Sequence, residues 1–335
     1  MHEEMSYKGA GVDIAAGEEA VDRIKGMVRS TFTPRVLTDL GKFGGFYAPD
    51  LKGYREPVLV SSIDGVGTKL KVASLVGKHD SVGEDLVNHC VNDILVGGAK
   101  PLFFLDYIGT GRLKPGVMEE VVSGMVRGCR GVDCVLIGGE MAEMPGFYRK
   151  GEYDVAGCIV GIVEKERIID GRSIEKGDVL VGLPSEGMHT NGYSLARKVL
   201  LEKEGLKVDA VVEELGTTLG EELLRVHRCY FPLVYPLLDT FEIKGMSHVT
   251  GGGLVGNTKR ILPEGLSLEI DWDGWTVPPI FELIQKKGNV PDEEMRRTFN
   301  LGIGFVLIIV EKSVDSLITA FKACGEKPVL VGKVV

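Results

Sequence analysis

Ser61-Ser-Ile-Asp-Gly-Val-Gly-Thr-Lys69 is the stretch of sequence that decides the interpretation of this chain. The apolar run Pro57-Val-Leu-Val60 ahead of it predicts a buried strand. A carboxylate, two glycines, a hydroxyl and an amine then follow within Asp64 to Lys69. A carboxylate beside backbone that can approach a ligand closely suits a metal ion and phosphate groups. The alternative is a plain hairpin turn, since Asp-Gly is a common turn dipeptide.

Composition limits the class of protein. A chain of 335 residues exceeds one ordinary core, so two domains are expected. Its 44% hydrophobic and 26% charged residues are typical of a soluble globular protein. A net charge of −9 without a basic block disfavours nucleic acid and anionic membranes as partners. Six scattered cysteines, and no apolar signal core in residues 1–8, predict a cytoplasmic protein.

The first half of the chain alternates strand and helix patterns. Ser81 and Glu84 match a capping box, which predicts that a helix begins there. We expect a domain boundary in the charged run 164–177, giving domains 1–168 and 169–335 of an α+β (α/β-like) protein. The predicted strands are 57–60, 102–108, 134–137 and 154–163, and the other predicted helices are 18–30 and 117–129.

The second half predicts a further α+β domain, with a loop at 184–192. The segment 215–239 is expected to be largely helical. The predicted strands are 178–183, 246–250, 267–271, 303–310 and 329–334, and the other predicted helices are 193–204, 278–287, 291–298 and 314–324.

Two further acids follow the pattern of Asp64. Asp93 lies near the end of a helix closed by Gly97-Gly98, and Glu140 follows Gly138-Gly139 at a predicted strand end. His89, on the same helix as Asp93, is interpreted as a structural histidine.

A glycine-rich turn introduces a competing interpretation. Gly251-Gly-Gly253-Leu-Val-Gly256 fits the dinucleotide-binding pattern, and Asp271 ends the next strand about twenty residues on, as a dehydrogenase requires. The preceding strand is short and polar at its end, and little chain remains for a doubly wound sheet. We therefore favour a single phosphate at a helix start, with a purely structural helix entry as the alternative.

Nine stretches, in order along nearly the whole chain, carry a family resemblance. The sequence resembles the aminoimidazole ribonucleotide synthetase (phosphoribosylformylglycinamidine cyclo-ligase) family of purine biosynthesis. The stretches are Ser6-Tyr-Lys-Gly-Ala-Gly-Val-Asp13, Asp64-Gly-Val-Gly-Thr-Lys69, Cys90-Val-Asn-Asp93, Pro101-Leu-Phe-Phe-Leu-Asp-Tyr107, Gly138-Gly-Glu-Met-Ala-Glu-Met-Pro145, Tyr153-Asp-Val-Ala-Gly157, His189-Thr-Asn-Gly-Tyr-Ser194, Thr250-Gly-Gly-Gly253 and Arg297-Thr-Phe-Asn300.

The resemblance implies an N-terminal domain whose sheet forms a barrel across a homodimer, a C-terminal α+β domain, and ATP bound with Mg²⁺. It implies that Asp64, Asp93 and Glu140 are the metal ligands, and that the arm 6–13 closes over ATP. The nucleotide site would contain Lys25, Asp64, Gly65, Gly67, Thr68, Asp93, Thr110, Gly138 and Gly139.

The implied reaction is ATP-driven closure of an imidazole ring, which needs charge neutralisation and proton transfer. Lys69 and Lys25 would add positive charge. His189 and His248 are assigned as acid/base or substrate-orienting residues, with a structural role as the alternative. The substrate would contact Asn191, Gly192, Thr250, Gly251, Gly252 and Gly253.

Two rival functions and two departures from the family pattern accompany this interpretation. A selenophosphate synthetase needs a reactive Cys or selenocysteine in the N-terminal glycine-rich segment, and Leu40–Phe46 has none. A non-catalytic ATP-binding regulator is disfavoured because three acids and two loop histidines are present. The departures are Ser62-Ile63 before Asp64 and Asn88-His89 before Cys90.

Overall fold

The computed structural model describes residues 5–335. Residues 1–4, part of the segment 1–8 in which no apolar signal core is predicted, lie outside the described residues. Contacts divide the chain into two units. The first contains the chain up to Cys90 together with Pro101–Ile162, and the second contains Val91–Lys100 and Val163–Val335. The boundary expected at residue 168 assigns 91–100 to the first domain, whereas the contacts group this segment with the second unit. No helix in the described part of the chain is long and apolar enough to cross a membrane.

The first unit is a four-stranded sheet in the order β1-β4-β2-β3, with β2 and β3 parallel. Helix α4 buries an apolar stripe that includes Met118, Val121, Val122 and Met125, as its amphipathic sequence predicts. The elements are α1 (Ile14–Arg29), β1 (Pro57–Gly65), α2 (Lys69–Val76), α3 (Asp80–Leu95), β2 (Lys100–Thr110), α4 (Pro115–Arg130), β3 (Val135–Glu143) and β4 (Tyr153–Glu164).

The second unit is built on a five-stranded sheet in the order β8-β10-β5-β11-β9, in which every neighbouring pair is antiparallel. Strand β10 is an unbroken apolar run that is buried along its whole length, so the core lies around it. The strands are β5 (Val179–Pro184), β6 (Val211–Val212), β7 (Thr217–Thr218), β8 (Gly245–His248), β9 (Leu268–Ile270), β10 (Ile303–Ile309) and β11 (Val329–Val334). The helices are α5 (Tyr193–Arg197), continued as a π-helix over Lys198–Lys203, α6 (Leu219–Leu223), α7 (Phe231–Val234), α8 (Gly253–Thr258), α9 (Pro279–Gly288), α10 (Asp292–Thr298) and α11 (Val314–Ala323), with a 3₁₀ turn at Tyr235–Asp239.

The antiparallel sheet excludes the dehydrogenase alternative. A dinucleotide-binding fold needs parallel strands around its glycine turn. Here β8, which precedes Gly251, pairs antiparallel with β10. Strand β9, which precedes Asp271, lies at the opposite edge of the sheet. The spacing of the glycines and the acid therefore matches the dinucleotide-binding sequence pattern, but the strands around them are not parallel as that fold requires.

One alternative is excluded and three local predictions are wrong. Strand β1 continues through Asp64 and Gly65 and is followed by α2, so these residues do not form a hairpin turn. β1 is also not a buried strand, because each of its residues is exposed or half-buried. Helix α3 begins at Asp80, and the Ser81 hydroxyl is buried inside it without a hydrogen-bond partner, so it caps nothing. Within 215–239 the helices are short pieces, separated by an irregular segment at 224–230.

Candidate active site

Asp64 lies near the end of edge strand β1, with its carboxylate held from two sides. Asp64 Oδ2 lies 2.9 Å from His89 Nε2, and Asp64 Oδ1 accepts the Gly65 N–H at 2.7 Å. His89 is buried on α3, whereas 44% of the Asp64 side chain stays exposed. A buried imidazole therefore orients an accessible carboxylate. The histidine that departs from the family pattern supplies that contact.

Lys69, expected to place positive charge beside phosphates, is instead completely buried. Its ammonium lies 2.7 Å from Asp85 Oδ2, and neither side chain is exposed. Burial lowers the pKa of Lys69, and the Asp85 carboxylate opposes that change. In this geometry Lys69 neutralises the buried Asp85 carboxylate next to the connection between β1 and α2.

A cavity of about 400 Å³ in the first unit gathers Gly138, Gly139 and Glu140. Its walls come from α1, from the loop 39–45, from strands β2 and β3 and from Val122 of α4. Glu140 is exposed, and because β3 runs on to Glu143 it lies within the strand and not at its end. Asp106 lines the same cavity, and burial, followed by the nearby Glu140 charge, raises its pKa to about 7.

Gly139 is needed for this wall, because a Cβ there would lie 2.2 Å from Asp106 Oδ1.

Two predicted nucleotide residues have partners within the protein. Lys25 on α1 is partly exposed and forms an ion pair with Asp22 at 2.7 Å. Thr110 is buried, and its hydroxyl hydrogen-bonds to the carbonyls of Glu152 and Arg112. These bonds hold the Thr110 hydroxyl at the end of β2.

In the second unit, Asp93 begins a chain of hydrogen-bonded side chains. Its Oδ1 lies 2.8 Å from His248 Nδ1, and His248 Nε2 lies 2.9 Å from His227 Nε2. His227 Nδ1 lies 3.2 Å from the Thr190 hydroxyl, and all three of these partners are buried. Asp93 keeps 26% of its side chain exposed. Both nitrogens of His248 are thus engaged, which supports an orienting role in preference to direct acid–base transfer.

His189 packs against this chain from the loop after β5. Its ring stacks on His227 with centroids 4.0 Å apart and an interplanar angle of 21°. The residue adopts φ of 60°, uncommon outside glycine, and its Nε2 accepts the Glu186 N–H at 3.2 Å. Gly304 on β10 makes room for the ring, since a Cβ there would lie 2.5 Å from His189 Cε1.

The glycine turn before α8 is already hydrogen-bonded within the protein. The Gly252 N–H donates to the Arg297 carbonyl and the Gly253 N–H to the Thr250 carbonyl, both at 3.1 Å. A Cβ on Gly253 would lie 1.9 Å from the Arg296 carbonyl oxygen. These contacts favour the structural helix entry for Gly252 and Gly253.

Asn257 stabilises the same turn through its side chain. Its side-chain amide donates to the carbonyls of Thr250, Gly251 and Gly253. Nearby, Gly192 at φ 79° lies against the Phe299 ring, so a side chain would not fit there.

Comparison with known proteins decides the family. Residues 53–163 match the N-terminal domain and residues 175–335 the C-terminal domain of the "AIR synthase related protein" family. The phosphoribosylformylglycinamidine cyclo-ligase of Carboxydothermus hydrogenoformans is 53% identical over 332 residues, covering 99% of this chain and 96% of the relative. That of Syntrophotalea carbinolica is also 53% identical, covering 98% and 94%. The chain belongs to the phosphoribosylformylglycinamidine cyclo-ligase family.

Solved structures share the fold of this cyclo-ligase family member at low identity. Thiamine-monophosphate kinase from Stenotrophomonas maltophilia superposes with a TM-score of 0.71 and 16% identity, covering 95% of this chain and 93% of the kinase. The hydrogenase maturation protein HypE, solved in complex with ATP, gives a TM-score of 0.58 and 17% identity, covering 93% and 85%. The two-domain architecture with mixed α and β content, expected from the sequence, is confirmed.

The structure of this cyclo-ligase family member places some of the predicted site residues close together, and it shows further residues beside them that were not predicted. It brings His248 to Asp93, and it places Gly138, Gly139 and Glu140 on one cavity. Sequence reasoning missed His227, Asp106 and Asn257. Asp106 lies in a quoted motif, and an acid inside an apolar strand is a usable signal. His227 carries no local signal, because its partners are 21 or more residues away along the chain.

Proposed function

We propose that this protein closes the imidazole ring of 5-aminoimidazole ribonucleotide from formylglycinamidine ribonucleotide, with ATP converted to ADP and phosphate, in purine biosynthesis. The observation that carries the proposal is the 53% identity, over 99% of the chain, to a relative named for this cyclo-ligase activity. The protein is accordingly an ATP-dependent ligase acting on a small nucleotide substrate, and a cytoplasmic site of action fits this role.

The chemistry has to overcome a poor leaving group. The oxygen of a formyl amide leaves only as hydroxide unless it is first modified. Transfer of the ATP γ-phosphoryl group to that oxygen makes it part of a phosphate. The amidine nitrogen then forms the C–N bond to the same carbon, the C–O bond breaks with loss of phosphate, and one proton is released. Holding the two groups of one substrate in place contributes up to about 7–11 kcal/mol.

The protein's carboxylates fit hard cations. Asp64, Asp93 and Glu140 each offer accessible oxygen atoms, the ligand type that Mg²⁺ prefers. When bound, Mg²⁺ supplies positive charge that offsets the charge on the ATP phosphates. Asp64 and Glu140 lie on β1 and β3, the two edge strands of one sheet, which are three strand spacings apart, or about 14 Å across a flat sheet. Positions on opposite edges favour distinct ions, or a phosphate chain between the two carboxylates, over one shared ion.

Residues of the second unit orient the Asp93 carboxylate and are proposed to contact the substrate. His248 Nδ1 lies 2.8 Å from Asp93 Oδ1 and so orients the Asp93 carboxylate. His189 supports this arrangement through its stack on His227. Asn191, Gly192, Thr250 and Gly251 are the proposed contacts of the nucleotide substrate; of these, Gly251 is exposed at the turn.

A homodimer with a barrel formed across the two sheets is part of the proposal. Strand β1 is an edge strand, and it exposes 65% of Leu59 and 70% of Ile63. An open edge with exposed apolar side chains favours pairing with another chain. A second copy of the sheet would cover this edge.

One assay tests the proposed function. The purified protein is mixed with formylglycinamidine ribonucleotide and Mg-ATP, and ADP and the aminoimidazole product are quantified together by chromatography. We expect the two products in equal amounts, and no ADP when the ribonucleotide is left out or replaced by thiamine monophosphate. ADP formation with thiamine monophosphate alone would instead support a kinase of the same fold.

A further inference from the structure

Two adjoining cavities lie at the start of helix α4, within the first unit. The larger is an open cavity of about 540 Å³, and the smaller has about 80 Å³. Both are lined by Arg112, Lys114 and Val117, so we treat them as one region, called here the α4 cavity. The volume of the larger cavity is typical of small-molecule sites. Among the described residues, the α4 cavity shares no lining residue with the cavity beside Glu140.

The α4 cavity is positively charged, although the whole protein carries a net charge of −9. Arg112, Lys114 and Lys150 line it and are exposed, and none of the three has a salt bridge within residues 5–335. Glu120 is the one acid among the described lining residues, and its Oε2 accepts the His79 backbone N–H at 2.9 Å. Three cations against one carboxylate leave an excess of positive charge, which attracts anions.

Helix α4 adds backbone donors to this charge. Its first turn contains no acidic residue, and Lys114 at the N-cap makes no side-chain capping bond. Pro115 has no N–H to offer, and the Gly116 N–H has no hydrogen-bond partner in the described part of the chain. A helix of 16 residues carries partial positive charge at this end, where unpaired N–H groups bind anions.

A buried histidine adds a further donor to the α4 cavity. His79 lines the smaller cavity, is only 8% exposed, and has its Nδ1 2.8 Å from the Tyr153 hydroxyl. Burial raises the pKa of Tyr153, so this phenol keeps its proton. Within residues 5–335, His79 Nδ1 is the one hydrogen-bond partner of the hydroxyl. Tyr153 therefore donates to Nδ1, and the proton of a neutral His79 ring lies on Nε2.

The Nε2–H group of His79 has no hydrogen-bond partner among the residues that the structure describes. Burial lowers the pKa of His79, the Glu120 charge opposes this change, and the Lys114 charge adds to it, so the ring is neutral near pH 7. A neutral Nε2–H group donates and does not accept. A ligand that completes its hydrogen bond must therefore present an acceptor atom.

A phosphate group matches this set of donors. It carries several acceptor oxygens on one centre, and it forms charge-assisted hydrogen bonds with arginine and lysine. A metal ion does not match, because Arg112, Lys114, Gly116 and His79 all present donors. A polymeric anion does not match the smaller cavity, because about 80 Å³ beside His79 admits one small group.

We propose that the α4 cavity binds a phosphate group on the Gly116 N–H, the His79 Nε2–H and the side chains of Arg112 and Lys114. The group is either orthophosphate or the phosphate of a small monoester, since the two share this chemistry. The proposed cyclisation gives the α4 cavity no role, so the inference does not rest on the proposed function.

Nuclear magnetic resonance of the ¹⁵N-labelled full chain tests the proposal without ATP or ribonucleotide. The probes are sodium phosphate and ribose 5-phosphate, each titrated at constant ionic strength beside sodium chloride. We expect the Gly116 amide and the His79 Nε2–H resonances to shift together and to saturate with one dissociation constant. Tighter binding of ribose 5-phosphate would identify a monoester as the ligand, whereas equal or weaker binding would identify orthophosphate.

Three variants with one positive charge removed locate the site. Arg112→Gln and Lys114→Gln should each raise the dissociation constant about tenfold or more, since each removes a charge-assisted contact. Arg130→Gln removes the same charge from an exposed position in the last turn of the same helix, and it should change the constant by less than about twofold. All three side chains are exposed, so the variants should fold.

Four results would overturn the inference. They are a spectrum that phosphate does not change, an equal response to chloride, a His79 resonance that stays fixed while the Gly116 amide shifts, and an Arg130→Gln variant that loses as much affinity as Lys114→Gln. Saturable binding of single-stranded DNA without a response to either small phosphate would also contradict it. Failure of the proposed function would appear only in the product assay, because the spectra contain neither of its substrates.

Discussion

The Lys69 ammonium lies 2.7 Å from Asp85 Oδ2, and both side chains are completely buried. The pair connects the start of α2, directly after the Asp64 strand, to α3. A buried ion pair of this kind is costly to break from one side, because the remaining charge has no compensation. The lysine that sequence reasoning assigned to phosphate contacts is therefore part of the support for the strand–helix connection.

Replacement of Lys69 separates these two roles. Lys69→Met should lower the free energy of unfolding by about 3–5 kcal/mol, since it leaves the Asp85 carboxylate buried. Lys69→Met with Asp85→Leu should recover most of that loss, because an apolar pair of similar volume replaces the ions. Urea unfolding and ADP formation measure both effects. A double variant that is stable but makes no ADP would contradict the structural role and support a contact between Lys69 and the ATP phosphates.

Asp106 gives a pH-dependent prediction. Its pKa of about 7 in the folded protein exceeds the ordinary 3.8, so ionisation opposes folding. The unfolded chain loses this proton near pH 4 and the folded protein near pH 7, so stability falls as pH rises between them. Asp106→Asn should therefore gain stability over the parent between pH 5 and pH 8, on the order of 2 kcal/mol.

Urea unfolding at several pH values checks this prediction, with the exposed Asp133→Asn as control. A difference between Asp106→Asn and the parent that stays constant with pH would contradict it.

Asp93 provides a test of the metal ligands. Asp93→Asn keeps a side-chain oxygen to accept the His248 Nδ1 proton, so the melting temperature should stay close to that of the parent. The lost negative charge should reduce Mg-ATP-dependent ADP formation by at least about a hundredfold. Asp273→Asn removes an exposed acid from the same unit as a control. Normal turnover of the Asp93 variant would remove this residue from the metal ligands.

The exposed edge of β1 provides a test of the dimer. Ile63→Lys should convert the protein from dimer to monomer in light scattering, because it places a charge on an apolar edge. Leu330→Lys, on the exposed face of β11, is the matched control and should leave the mass unchanged. A wild-type protein with the mass of one chain would rule out the dimer directly.

Sequence reasoning found elements whose signal is local. The sequence predicts a buried strand from the apolar run at Ile303–Ile309, and the structure has it. It also predicts a helix with one buried face from the amphipathic pattern of Pro115–Arg130, and the structure has that helix. It failed where tertiary contacts decide. Asp64 and Gly65 have the composition of a turn, yet pairing with the neighbouring strand keeps them extended. Ser81 has a capping sequence, yet the helix starts one residue earlier and buries its hydroxyl.

The candidate site shows the same division. Motif reasoning assigned Asp93 to the metal and His248 to an acid/base or substrate-orienting role, and the structure places Asp93 Oδ1 2.8 Å from His248 Nδ1. It did not find His227, since a histidine in an irregular segment has no periodic pattern and its partners are distant in sequence. It also did not foresee that Lys69 would be buried against Asp85.

The fate of the formyl oxygen tests the central claim most directly. Formylglycinamidine ribonucleotide labelled with ¹⁸O in the formyl group is converted with Mg-ATP, and the inorganic phosphate is analysed by mass spectrometry. If the γ-phosphoryl group is transferred to that oxygen before ring closure, each phosphate released carries one ¹⁸O atom and one aminoimidazole product forms with it. Unlabelled phosphate, with the ¹⁸O recovered in water, would contradict the proposed reaction.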